Sequence, residues 1–143
     1  MIEPYLLAGR ELKARYAFLD YGRPMMVRIE EIAKAALQGE SLLVRSLTQD
    51  FLRYQPQLAS IAQPATDDEQ VLALSAAFIE LFAKRSNQLA PAWTAKIGPV
   101  AQPIFLLKAA QRMKRLRELC EAESPEPLRR RHLYATPDYL EFV

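Results

Sequence analysis

The sequence predicts an all-α fold: a single-domain bundle of about five main helices around one apolar central helix, closed by short C-terminal helices. Three observations carry that expectation. Only 4 glycines occur among 143 residues, while Ala, Leu, Arg, Glu and Gln, all good helix formers, are abundant. Apolar residues recur at steps of three and four. From Val71 to Ala83 the only polar residues are Ser75 and Glu80, so that helix cannot solvate its own surface and must be wrapped by other elements.

The length suits one core, divided into N-terminal helices (1–64), the central helix (65–87), a proline-rich crossing (88–103) and a basic helix with a docked tail (104–143). The first helix is expected from Pro4 to Asp20, with Leu7, Leu12, Tyr16 and Leu19 among its apolar positions, and ends at Gly22, Arg23 and Pro24. A second, from Met25 to Gln38, aligns Met26, Ile29, Ile32, Ala33 and Ala36 and stops at Gly39, a left-handed cap. A third starts at Glu40 or Ser41, directs Leu43, Leu47, Phe51 and Leu52 to the core and fades near Pro56. Thr66, followed by Asp67, Asp68 and Glu69, is the start signal of the central helix: a hydroxyl for the free amides and acids for the positive end of the dipole.

Between Asn87 and Pro103, three prolines and Gly98 surround Trp93, which indicates an ordered irregular crossing pinned by the indole. Pro103 then opens a fifth helix with Leu106, Ala109, Ala110, Met113, Leu116 and Cys120 on one face. Lys108, Arg112 and Arg115, spaced by four and three, form a basic strip beside that face, and Arg117 within the apolar arc calls for an acidic partner or an interface. Ser124 with Pro125 and Thr136 with Pro137 each announce a short helix. Tyr139, Leu140, Phe142 and Val143 are too apolar for a free tail and should dock.

Half the residues are apolar and a quarter charged, which excludes a disordered chain. Glu80, Pro99 and Pro103 interrupt the greasiest stretches, so no membrane span is expected; the acid at Glu3 and the lack of an apolar signal core argue against export and for the cytoplasm. One cysteine, Cys120, and one histidine, His132, exclude an intramolecular disulfide and zinc sites built from several such ligands. The dispersed glycines exclude glycine-rich nucleotide loops. No cofactor, metal or catalytic set is expected, and the chain is read as a non-enzyme.

The net charge of +2 is unevenly laid out: residues 1–83 carry −3, residues 84–131 carry +7 and the last twelve −2. The basic stretch reads either as a surface for nucleic acid or an acidic protein, or as a surface neutralised by the acidic first half. His132 follows three arginines, but helical ribonucleases of the HEPN type carry an Arg separated from the His by four to six intervening residues; Pro127, Glu126 and Pro125 stand at those positions instead. Cys120 reads as a small buried thiol, and the Asp67–Glu69 acids as helix caps rather than cation ligands. Ala35, Gly39 and Val44 match a DNA-binding helix-turn-helix poorly, and the would-be recognition helix has only Arg45 and Arg53 as cations.

The segments AALQGESLLVRSLTQDFL, APAWTAKIGPVAQPIFLLKAAQRMKRLRELC and ESPEPLRRRHLYATPDYLEFV, spanning roughly residues 35–143, resemble a family of small, largely uncharacterised bacterial helical proteins. The most distinctive pieces are the turn Ala90 to Trp93, the run Ser124 to Arg131 and Tyr134 to Leu140. Such proteins look like the antitoxin-like partner component of nucleotidyltransferase-type toxin-antitoxin operons, or a defence-system component. The resemblance implies no catalytic residues in this chain; with the charge layout it leads to the expectation of a binding module in which Lys108, Arg112, Arg115, Arg129, Arg130 and Arg131 meet the acidic active site of a partner protein, with Trp93 or Tyr134 as anchor. The alternative is a nucleic-acid-binding protein or transcription regulator using the same cations. A homodimer through an exposed apolar share of the central helix is a further expectation.

Overall fold

The computed structural model describes residues 26–54 and 57–141. The expected helix from Pro4 to Asp20 lies outside the described residues, as do Phe142 and Val143. Helix α1 (Ile29–Leu37) begins later than the expected Met25: residues 26–28 are not helical, Arg28 is extended, and the Glu31 carboxylate accepts the Arg28 N–H at 3.3 Å, fixing the start. The helix buries Ile29, Ile32, Ala33, Ala35 and Ala36 against the rest of the chain. It ends in a Schellman turn, with Glu40 N–H donating to the Ala35 carbonyl and Gly39 N–H to that of Ala36, both at 3.1 Å, around Gly39 at φ +72°. The side chain of Lys108 lies where a Gly39 Cβ would project. Gly39→Ala therefore meets both left-handed strain and a neighbour that must move, and should cost about 1 kcal/mol or more in urea unfolding.

Helix α2 (Ser41–Tyr54) buries Val44, Thr48 and Phe51, a line at steps of four and three. Leu43, expected inside, is 44% exposed, and Leu42 beside it is exposed too. Apolar residues flank that line on both sides, so the face is rotated by about one position from the expected one. Helix α3 (Glu69–Ser86) is the central helix. Asp68, not Thr66, caps it: the Asp68 Oδ1 accepts from Gln70 N at 2.9 Å and Val71 N at 3.3 Å, while the Thr66 hydroxyl accepts from Asp68 N and shapes the turn before. Asn87, at φ 58°, ends it in a second Schellman turn. Val71 and Ala73 to Ile79 are fully buried, as are Leu81 to Ala83, and Leu72 is half-buried. The chain itself covers the apolar surface once expected to attract a second copy.

The crossing is ordered, with a 3-10 turn at Ala92–Lys96. Trp93 pins it: the indole Nε1–H donates to the Ile61 carbonyl at 2.8 Å, and the half-buried ring packs on the core. Beyond it, the expected long helix from Pro103 is replaced. A strand β1 (Ile104–Phe105) pairs in parallel with β2 (Leu133–Tyr134), Ile104 opposite Leu133, and a 3-10 turn follows at Lys108–Gln111. Helix α4 covers only Lys114–Glu123. A β-branched residue beside an aromatic finds a ladder partner far along the chain, and that pairing overrides local helix preference. Met113 is consequently 56% exposed rather than in a helix core face.

Helix α5 (Glu126–Arg129) is the first of the two expected short helices. The second does not form. Thr136 and Pro137 enter turns in which Tyr139 N–H donates to Thr136 O at 3.0 Å, and Leu140 docks into the core. Arg85 of α3 fastens this tail through the carbonyls of Tyr139 (2.7 Å) and Pro137 (3.3 Å). Ser124 ties α4 to the residue that follows β2: its buried hydroxyl accepts from Ala135 N at 2.9 Å and lies in donating range of the Cys120 and Ala135 carbonyls. Ser124→Ala would leave the Ala135 N–H buried without an acceptor, and should cost about 1–3 kcal/mol of unfolding free energy. The described part is all-α in character, and none of its helices is long and apolar enough to cross a membrane.

Candidate functional site

The arginines expected to form one basic surface divide into two groups. Arg131 is 1% exposed. Its fork donates to Glu80 of α3 through Nη1 at 2.8 Å and Nη2 at 3.0 Å, one to each carboxylate oxygen. The carbonyls of Ile97 (3.1 Å), Pro127 (2.9 Å) and Thr94 (2.8 Å) take its other N–H groups, so all its donors are satisfied. Arg130 also bonds the Glu80 carboxylate and lies 3.9 Å from Glu126. Burial pushes the Glu80 carboxyl up, but the Arg131 bonds and the Arg131 and Arg130 charges outweigh it and hold the group below its usual value.

Arg129 donates to the carbonyls of Ala122 (3.2 Å) and Ser124 (3.0 Å), where α4 ends and a cation is favoured. Arg131 is thus withdrawn from the surface, Arg130 is engaged by carboxylates of its own chain, and Arg129 is directed at backbone. This corrects the expectation that the three form a free recognition face. Trp93 is tied to Ile61, and the half-buried Tyr134 ring lies 5.2 Å from that of Phe105 across the β1–β2 ladder, so both expected anchors serve the fold.

The second group remains outside. Lys108, Arg112, Lys114 and Arg115 are exposed and make no ion pair among the described residues. They do not form the expected strip on one continuous helix: Lys108 stands on the 3-10 turn, Arg112 on the link after it, and Lys114 and Arg115 on the first turn of α4. Arg117 positions this group. Its Nε donates to Ala110 O at 3.0 Å and its Nη2 to Gln111 O at 2.6 Å, bracing α4 against the 3-10 turn. The acidic partner expected for it is replaced by carbonyls that a 3-10 segment leaves unpaired.

His132 adopts a left-handed backbone, φ 63°, with Nδ1 3.0 Å from the Val100 carbonyl. Cys120 is buried, and burial pushes its thiol pKa up, away from thiolate chemistry. No group of three His, Cys, Asp or Glu side chains that could hold a metal ion occurs among the described residues. A cavity of about 250 Å³ between the Gly39 turn and the tail is lined by Val44, Leu106 and Tyr139, with Asp138 and Glu141 as its charged groups; Glu141 faces Arg85 at 3.6 Å.

Glu80 is the functional-group pairing that sequence reasoning missed. Its signal was present: a lone carboxylate inside an apolar helix requires a cation, and Arg130 and Arg131 are 50 and 51 residues away. No known protein family, curated protein or solved structure matches the chain.

Proposed function

We propose that the chain is a non-catalytic protein-binding module, an antitoxin or defence-system component of the cytoplasm that restrains a partner protein. The surface it uses is Lys108, Arg112, Lys114 and Arg115. One observation carries the reading: among the described residues these four cations face solvent without a carboxylate, while Arg130 and Arg131 bond Glu80 and Arg129 bonds backbone carbonyls. Long cations held on a braced turn suit the acidic face of a partner, such as the metal-binding active site of a nucleotidyltransferase-like toxin. Restraint by occlusion asks for no chemistry in this chain, and the resemblance of residues 35–143 to antitoxin-like partners points the same way. Nucleic acid is the second reading, since phosphate would meet the same cations. Against it stand Glu118, Glu121 and Glu123 on the same short helix and the exposed Met113 and Leu119 among the cations, a mixture suited to protein.

Co-expression with the product of the adjacent reading frame tests this. The native chain should co-purify with it, and Arg112→Glu with Lys114→Glu and Arg115→Glu should weaken binding at least about tenfold while leaving the melting temperature unchanged. Binding that survives the triple reversal would overturn the assignment. Tight binding instead to a promoter fragment, with log K falling against log salt at a slope of roughly −3 to −4 for four phosphate contacts, would favour the second reading.

A further inference from the structure

Helix α4 is the most solvated helix of the described chain: of Lys114–Glu123, only Cys120 is buried and only Leu116 and Arg117 are half-buried. Its charges run against its own dipole. Lys114, Arg115 and Arg117 crowd the positive start, and Glu121 and Glu123 the negative end; no acid stands in the first turn, no base in the last, and no side chain caps the N-terminus. Arg115, Leu119 and Glu123 follow one another at steps of four and so lie along one line of the helix. All three are exposed, Leu119 by 37%, and neither charge has an ion-pair partner among the described residues.

We propose that this line is a self-association surface, on which a second copy of the chain docks with its α4 antiparallel. With Leu119 on the two-fold axis, Arg115 faces Glu123 of the partner subunit, and Glu123 faces the partner's Arg115. A two-fold interface requires that residue i meet j and j meet i, and a basic, apolar, acidic order centred on Leu119 meets that condition. The arrangement also places the partner's Glu123 at the positive end of α4, which carries no acid of its own, while at the negative end the partner's Arg115 joins Arg129. A parallel pairing would oppose like charges. Ten residues make a helix about 15 Å long, short of what a permanent interface buries, so the dimer is weak and concentration-dependent. The inference does not rest on the partner reading above: its readout is the mass of the chain alone.

Sedimentation of the full chain from about 10 µM to about 1 mM at low salt tests it, the range in which so small an interface would associate. The expected result is a mass rising towards twice that of one chain. Arg115→Glu alone and Glu123→Arg alone should each stay monomeric where the parent dimerises, because like charges then face each other. An equal mixture of the two variants should associate again, since every position across the axis regains its opposite. Unchanged circular dichroism of these exposed-site variants checks folding, and loss of the parent's association in about 0.5 M salt, where screening is strong, gives a reading independent of any variant. A parent that stays monomeric throughout, single variants that dimerise like the parent, or a mixture that fails to associate would each overturn the proposal.

Discussion

Glu80→Ala is expected to lower the unfolding free energy by about 3–5 kcal/mol, a large fraction of the total stability of a small domain. The reason is what remains behind. Arg131 is 1% exposed, and its guanidinium would keep three carbonyl acceptors but no counter-charge. Arg130 can turn to Glu126, already 3.9 Å away, and loses little. Glu80→Leu combined with Arg131→Met should cost less than either single change, because no charge is then left buried. It will not be neutral, since the carbonyls of Ile97, Thr94 and Pro127 lose their donor. Urea unfolding of the four members of this cycle measures the coupling; a loss under about 1 kcal/mol for Glu80→Ala would mean the pair does not hold the tail to α3. Acid adds a second check. The folded Glu80 carboxyl sits below its ordinary value of 4.5, so its contribution is fully present above that pH and is lost as pH falls through the folded value. That part of the acid slope should vanish in the double variant.

The same pair shows how far the sequence could be read. The central helix was legible because thirteen residues with two polar interruptions cannot be anything but enclosed, and the break at Gly39 was legible because glycine takes the left-handed conformation that ends helices; the end near Asn87 was read from the prolines that follow, and its left-handed φ of 58° came only with the structure. Trp93 was legible as a pin, though not its acceptor. What escaped was decided by contacts distant in sequence. Ile104 and Phe105 look like the first turn of a helix opened by Pro103 until Leu133 and Tyr134 are beside them. Once that ladder forms, the phase linking Lys108, Arg112 and Arg115 is broken, and the apolar face expected through Met113 no longer exists. Arg129, Arg130 and Arg131 form one cationic block as letters but have three different fates, because the left-handed His132 and the short α5 aim each guanidinium differently. Charge is written in the sequence; whether a charge is already answered is a property of the fold.

The bracing of the exposed cations depends on that hidden chemistry. Arg117 ties α4 to the 3-10 turn before it, Ser124 ties its end to the residue that follows β2, and Arg129 occupies the carbonyls where it stops. A ten-residue helix with one buried residue would be marginal in isolation. Held at both ends, it keeps Lys114 and Arg115 at fixed positions, so less side-chain and backbone freedom is lost when a partner binds.

Phe78→Ala should be nearly as damaging as the loss of Glu80, at about 3–5 kcal/mol, because it removes a ring from the fully enclosed face of α3 and leaves a cavity that its neighbours cannot fill. Its effect should also reach the tail. The Phe78 ring lies 6.1 Å from that of Tyr139, tilted by 41°, and Tyr139 is held in place by burial on one side and by Arg85 on its carbonyl. Burial pushes the Tyr139 hydroxyl up to about 12 from an ordinary 10.0. A group whose folded value is raised stabilises the fold below its unfolded value, and that contribution is lost as pH rises from about 10 towards about 12. The native chain should therefore show an alkaline decline in urea midpoint across that interval, which Tyr139→Phe removes. In Phe78→Ala the ring is better hydrated, its hydroxyl titrates nearer the ordinary value, and the alkaline decline should shrink, while the Arg85 bonds keep the tail attached at neutral pH. If the decline in Phe78→Ala matched that of the native chain, Phe78 would support α3 alone, and the docking of the tail would rest on Arg85 and Leu140 instead.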